Sequence, residues 1–336
     1  MKKIGILTFH ASHNFGSMLQ AFALQKTLQK MGHKCDIINF RSKIQVENCS
    51  GTYNKPIDSL YGLLRKLSLL PFSKDLVCKY NKFEKFLTDD LCCTNLFSKE
   101  EQVLEEAECF DFYICGSDQI WNSSAKDFSW LYFLPFSKGK KISYACSAGD
   151  KILLPQDKEK MIKLLSSFSA ISVREQKLSE KISSLLQRKI DVVLDPTLLF
   201  TAEEWINYID KEPIVKGDYL LVYSPYFMPK LLKEIPIANK TTGIVICSPM
   251  SVRMLYNPHV IKQLNTGPWD FLNLIYHSKG VISGSFHASV FAKLFSKPLF
   301  CTDMGSGSRI ENLQNKFKFL EQERSKSLQF LREALK

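Results

Sequence analysis

Gly280-Val-Ile-Ser-Gly-Ser-Phe-His-Ala-Ser-Val-Phe-Ala-Lys-Leu-Phe-Ser-Lys-Pro298 changes period part-way along its length. Val281 and Ile282 form a short apolar run suited to a buried strand, and Ser283-Gly284-Ser285 breaks it. Ala288, Phe291, Ala292 and Phe295 then recur at the i, i+3, i+4, i+7 spacing of a helix face. The stretch therefore predicts strand, tight turn and helix, with His287 at the turn. The first N–H groups of a helix lack intrahelical acceptors and lie at the positive end of its dipole. Ser283 or Ser285 can cap some of these donors, and an anion can take the rest. A capped helix whose histidine merely packs fits the spacing equally well.

The same alternation runs outward through the chain. Ile4–Phe9 is a compact apolar run that enters the polar loop His10–Ser17. A helix pattern follows at Leu19, Phe22, Ala23, Leu24 and Leu28, with Gly32 as its stop and Cys35–Phe40 as the next strand. This is a βαβ unit, and ligands of such sheets bind at the carboxyl ends of the strands. Asn14, Gly16, Ser17 and Gln20 are therefore candidates for a pocket floor, with His10 and His13 in the same loop. A turn and a cap are the plainer alternative. The glycines do not follow G-x-G-x-x-G, so no dinucleotide fingerprint is present.

Phe110–Cys115 is another strand, ending in Gly116-Ser117-Asp118-Gln119-Ile120-Trp121-Asn122. Asp118 is placed to accept a hydroxyl proton and Trp121 to stack on a sugar face. Lys141–Cys146 and Ala170–Val173 repeat the pattern, the latter entering Arg174-Glu175. A guanidinium at a strand end suits bidentate binding of carboxylate or phosphate, although a surface salt bridge with Glu175 is the simpler reading. Ile190–Leu194 leads to Asp195-Pro196-Thr197, read as a turn. Tyr219–Tyr223 and Gly243–Cys247 are strands of a second unit, Gly267-Pro268-Trp269-Asp270 starts a helix, and Leu299–Thr302 follows the His287 segment. The Gly305–Arg309 loop offers Arg309 as a second anion ligand, and residues 310–336 are mostly helical. The expected fold is α/β, two Rossmann-like domains facing a cleft, residues 1–205 and 206–336, with a C-terminal helix.

Composition bounds the function. The 336 residues are 45% hydrophobic and 24% charged, ordinary for a globular enzyme. A net charge of +11 favours anionic partners. The basic residues are dispersed and no nucleic-acid motif occurs, so a nucleic-acid partner is not expected. Ten cysteines are scattered without C-x-x-C or zinc spacing, which indicates reduced thiols and no metal. The Ile4–Leu7 run is too short for a signal peptide, and no segment approaches the ~20 apolar residues of a membrane span. A cytoplasmic location follows. Between Lys55 and Lys85, seven basic residues face three acidic ones. Ile57–Phe72 there mixes leucines with Arg65 and Lys66, as a segment lying on an anionic membrane does. Packing on the body of its own domain is the favoured alternative.

Several of these stretches together resemble the polysaccharide pyruvyl transferase family. They are Asn14-Phe15-Gly16-Ser17 with Gln20, Cys115 through Asn122, Ser172-Val173-Arg174-Glu175, Asp195-Pro196-Thr197, Gly284-Ser285-Phe286-His287-Ala288, and Ser308-Arg309-Ile310. They cover nearly the whole chain in order. The resemblance implies a GT-B-type pair of Rossmann-like domains and transfer of pyruvate from phosphoenolpyruvate onto a sugar, usually as a ketal across two hydroxyls. It places His287 and Ser285 in the donor-site motif and Arg174 as their basic partner. Some members carry an arginine directly before this histidine and a leucine, whereas Phe286 and its neighbours offer no cation. Arg309 or Lys293 is the candidate replacement.

The reaction so implied requires no cofactor beyond phosphoenolpyruvate as donor substrate. Its acceptor is a sugar of a bacterial surface polysaccharide, or its lipid-linked precursor at the inner membrane face, bound by the Asn14–Gln20 and Gly116–Asn122 loops. Two other classes remain open. One is a glycosyltransferase of the same architecture using a nucleotide sugar, and the other is a glycan-binding or assembly protein without catalysis. His33, His259 and His277 read as structural or solvated.

Overall fold

A computed structural model describes residues 1–49, 60–106, 110–135, 138–149, 158–225, 242–300 and 316–336. The first sheet collects β1 (Lys3–Leu7), β2 (Lys34–Ile37), β3 (Phe112–Cys115), β4 (Lys140–Cys146), β5 (Ala170–Val173) and β6 (Asp191–Val192). The second collects β7 (Tyr219–Tyr223), β8 (Gly243–Ile246), β9 (Val260–Lys262), β10 (Gly280–Ser283) and β11 (Leu299–Phe300). Principal helices are α1 (Phe15–Lys30), α2 (Leu60–Leu69), α3 (Ser73–Asp89), α4 (Gln176–Leu186), α5 (Pro268–His277), α6 (Phe286–Leu294) and α7 (Leu320–Ala334).

Both sheets are parallel, ordered β2-β1-β3-β4-β5-β6 and β11-β10-β7-β8-β9. Ile4 pairs with Cys35 on one side and Phe112 on the other, and Val281 pairs with Leu221 and Leu299. The near-continuous apolar runs of β1, β3 and β10 follow from this, because helices cover both faces of a parallel sheet. The two α/β units expected from the sequence are present. β9 is the one strand the sequence reading passed over: three residues at a sheet edge, with Ile261 exposed, show no usable period.

The two sheets meet over a shared apolar core. Phe15 at the start of α1 stacks on Phe271 of α5, with centroids 4.4 Å apart and rings nearly parallel. Two segments cross between the sheets. Although α2 and α3 lie in sequence between β2 and β3, Leu69, Phe72 and Leu76 pack on Val222, Ile246 and Ile282 of the second sheet. Phe83, Phe86 and Leu87 at the other end of α3 pack beneath α1. The Tyr256 hydroxyl donates to the Ser68 carbonyl at 2.8 Å, and Lys82 pairs with Asp270 at 2.6 Å. The expectation that this segment covers only its own half is thus corrected. Conversely, α7 returns to the first sheet, where the Leu194 N–H donates to Ser327 Oγ at 2.9 Å and Arg324 Nε to the Leu198 carbonyl at 2.9 Å.

Candidate functional site

The carboxyl ends of β1, β3, β4, β5 and β6 meet the start of α6 around one buried carboxylate. Asp195 Oδ1 accepts from the Thr197 N–H at 3.0 Å and its hydroxyl at 2.7 Å. Oδ2 accepts from Arg174 Nη1 at 2.9 Å and Ser117 Oγ at 3.3 Å. His287 Nε2, from the other sheet, lies 3.6 Å from the same oxygen, beyond hydrogen-bond distance. Burial alone would raise the Asp195 pKa, but the charges of His287 and Arg174 and the Thr197 hydrogen bonds outweigh it and hold the carboxyl below its usual range. The sequence reads Asp195 as a turn residue, and the resemblance includes its Asp-Pro-Thr motif without giving the carboxylate a role. Its one signal was the Asp-Pro-Thr motif, whose side chain the local pattern assigns to capping.

Arg174 is as deeply enclosed. Its Nε donates to Glu175 Oε1 at 2.9 Å, and the guanidinium lies over the Phe286 ring with its carbon 4.3 Å from the centroid. Burial opposes its charge, and Glu175 and Asp195 more than restore it, so its pKa is raised. Phe286, which supplies no cation of its own, thus holds one by a cation–π contact. Glu175 Oε2 and His287 Nε2 are both buried without a hydrogen-bond partner among the described residues. Such atoms are uncommon in folded proteins and mark a place for water, ion or substrate.

His287 lies against the first turn of α1. A Cβ built on Gly16 would stand 2.1 Å from its Nδ1, so glycine is the residue that admits the imidazole. Ser285 occupies the N-cap position of α6, yet its side chain makes no cap bond. Instead the Ser283 hydroxyl accepts from the Ser285 N–H at 3.0 Å and donates to the Tyr223 carbonyl at 2.7 Å. The leading N–H groups of α6 are therefore uncapped by a side chain of Ser285, beside a histidine and an arginine.

The remaining candidates divide. Asp118 Oδ2 accepts from Ser17 Oγ at 2.5 Å and Oδ1 from the Gln119 N–H at 2.8 Å, which joins the β3 loop to the start of α1. Asn14 Oδ1 accepts from the N–H groups of Gly16 and Ser17 and caps α1. Gln20 is fully buried; it accepts from the Ser117 N–H at 3.1 Å and donates to Thr8 Oγ1 at 2.9 Å. Gly116 has φ +113°, and a Cβ there would meet the Tyr144 carbonyl at 2.1 Å. These four build the loops that hold the site. Trp121 is not at the surface: its indole is fully buried, stacked on Phe133, with Nε1 donating to the Tyr132 carbonyl. It presents no face to a sugar, because the strand-end loop turns inward after Asp118. Arg309 lies outside the described residues. Lys293 lies in the last turn of α6, about 9 Å along the axis from His287 at 1.5 Å per residue. His10 is buried between the Thr8 carbonyl and Asn39, while His13 pairs with Glu84 at 2.7 Å.

A family model for polysaccharide pyruvyl transferase matches residues 14–306. The chain belongs to that family. No functionally curated protein is significantly similar in sequence. Among solved structures, S. aureus MnaA bound to UDP superposes with a TM-score of 0.51 at 11% identity, covering 97% of this chain and 91% of that one. A putative UDP-N-acetylglucosamine 2-epimerase from Listeria monocytogenes gives 0.49 at 10% identity, covering 97% and 90%. E. coli heptosyltransferase WaaC gives 0.41 at 13%, covering 90% of each chain. The fold of this pyruvyl transferase family member is α/β with two parallel sheets.

One residue near the family's motifs was missed altogether. Lys316 Nζ donates to the Arg174 carbonyl at 3.0 Å and lies 3.4 Å from that of Val193. Burial lowers its pKa, against the attraction of Glu175. It arrives from beyond β11 on the way to α7, in a stretch whose alternating Lys316-Phe317-Lys318 reads as ordinary helix surface.

Proposed function

We propose that the protein transfers pyruvate from phosphoenolpyruvate to a sugar of a surface polysaccharide or its precursor, forming a ketal. The observation that carries this reading is the convergence of His287 from one sheet with Arg174 and Asp195 from the other. The phosphate is assigned to the uncapped start of α6 at Ser285–Ala288, where backbone donors and the helix dipole favour an anion. Arg174 and Lys316 supply positive charge, with Lys316 taking the place of the arginine that Phe286 lacks; Arg309 remains a candidate for the same task.

Ketal formation begins with a proton delivered to the methylene carbon of phosphoenolpyruvate, which leaves C2 electron-deficient. His287 is the donor, since its buried Nε2 has no hydrogen-bond partner among the described residues and lies beside the Asp195 carboxylate. Asp195 is a positioning residue that stabilises the imidazolium. An acceptor hydroxyl attacks C2 and passes its proton to Asp118, which accepts from Ser17 in the free protein. The C2–O bond to phosphate then breaks and phosphate leaves, and a second sugar hydroxyl attacks C2 to close the ring as its proton passes to His287, neutral since its own proton went to the methylene carbon. Fixed cations in a water-poor site stabilise the departing phosphate.

The test is phosphate release from phosphoenolpyruvate with a panel of sugar acceptors. His287→Ala is expected to lower turnover about 10²-fold or more, the usual contribution of a positioned proton donor. Near-normal turnover would remove His287 from the chemistry. Thermal stabilisation by a nucleotide sugar with none by phosphoenolpyruvate would overturn the donor assignment.

A further inference from the structure

We propose that the outward face of the continuous helical segment formed by α2 and α3 docks on an anionic lipid bilayer. The solvent-facing positions of a helix are normally polar. Here the outermost positions of α2 and the turn after it are Leu64 (57% exposed), Leu67 (51%) and Leu70 (47%), and Val77 (58%) continues the ridge on α3. Tyr256 (53% exposed) adjoins them from the second sheet's half, in ring contact with Phe72 and bonded to Ser68. Exposed apolar side chains grouped in this way mark an interaction surface.

The charges around the ridge identify what it meets. Residues 60–81 hold a single acidic side chain, Asp75, against Arg65, Lys66, Lys74 and Lys79. Lys79 turns inward to the Cys247 carbonyl, whereas Arg65, Lys66 and Lys74 make no ion pair with any described residue. Arg65 and Lys66 follow Leu64 by one and two positions and therefore flank the leucine face on either side. Their long aliphatic stems let the charged groups reach outward beside it. A shallow groove of about 500 Å³ next to Val77 has Lys74, Lys82 and Lys85 in its lining. Protein–protein interface cores are depleted in lysine, so a second protein is poorly matched to this surface. A bilayer interface satisfies both features, with leucines among the acyl chains and cations at the phosphates. No described helix is long and apolar enough to cross a membrane, so the segment lies on the surface rather than through it.

The docking does not depend on the donor reaction and is measured apart from it. The full chain is sedimented with phosphatidylcholine vesicles, with and without about one-third phosphatidylglycerol. Binding is expected only to the anionic vesicles and to weaken with salt. Each of Lys66→Gln and Lys74→Gln should reduce it about fivefold. The pair Leu64→Ser and Leu67→Ser should reduce it at least tenfold, with unfolding temperature and turnover unchanged because both side chains are exposed. Absent binding, or equal binding to both vesicle types, overturns the proposal. Light scattering that shows a dimer abolished by the leucine substitutions would assign the ridge to self-association instead.

Discussion

Replacing Gly16 by alanine tests the geometry of the site most directly. The added Cβ would stand 2.1 Å from His287 Nδ1, 2.2 Å from its Cγ and 2.6 Å from its Cβ. Carbon contacts settle near ~3.5 Å, so the imidazole or the first turn of α1 must retreat by about 1.4 Å. The helix has little freedom to move, since Phe15 is stacked on Phe271, Asn14 caps the first turn, and Ser17 and Gln20 are tied into the β3 loop. The ring therefore moves, away from its 3.6 Å approach to Asp195. A misplacement of about 1 Å at a reacting group costs roughly 10²-fold in rate, and overpacking of a filled site costs about 1–3 kcal/mol of stability. The assay is the initial rate of phosphate release from phosphoenolpyruvate, with an acceptor that supports wild-type turnover, alongside thermal unfolding. Gly243→Ala is the control, because its Cβ has 3.5 Å to the nearest atom and should alter neither quantity. Wild-type rate and stability in Gly16→Ala would refute the packing. Lost stability with an undiminished rate would leave the packing intact and remove His287 from the rate.

Asp195→Asn deprives buried Arg174 and His287 of their shared partner. Breaking a buried pair costs about 3–5 kcal/mol, and because Glu175 still holds Arg174 the lower end applies, a fall of about 4 °C by thermal unfolding at ~2.1 cal/mol/K of unfolding entropy per residue. Lys316→Met should raise the KM for phosphoenolpyruvate about tenfold and cost about 1–3 kcal/mol of stability, since the Arg174 and Val193 carbonyls lose their donor. Burial lowers the His10 pKa against the hydrogen bonds of Asn39 and Thr8. The unfolded chain thus takes up this proton first, and stability should fall as pH drops below about 6.5. His10→Gln should flatten that fall between pH 6.5 and 5.5, measured as the urea midpoint; identical slopes would show that His10 is not buried neutral.

Much of the architecture was legible because a parallel sheet buried on both faces demands apolar runs, and β1, β3, β5, β7 and β10 all supply them. Helix starts were legible for a similar reason: Asn14 and His287 sit where the period changes from strand to helix. Sequence reasoning stopped where a side chain's partner lies far along the chain. Trp121 and Asp118 are three residues apart in one loop, but one stacks in the interior and the other bonds Ser17, and no local pattern separates them. Asp195 looked like a turn residue because its Thr197 bonds are local, while its bond to Arg174 spans 21 positions and its approach to His287 is longer still. Lys316 gave no sign at all, since what distinguishes it is the carbonyl of Arg174, 142 residues earlier.

The crossed segments have a consequence for how the molecule can be cut. Leu69, Phe72 and Leu76 are encoded early yet roof the later sheet, and Ser327 and Leu331 are encoded last yet seal the earlier one. A polypeptide ending near residue 205 would carry a greasy helical segment with nothing beneath it, and its complement would expose Val222, Ile246 and Ile282. Each piece expressed alone should aggregate, whereas the two co-expressed should find each other. Swapping one half for that of a distant relative would fail for the same cause unless α2, α3 and the last helix travelled with the sheets they cover.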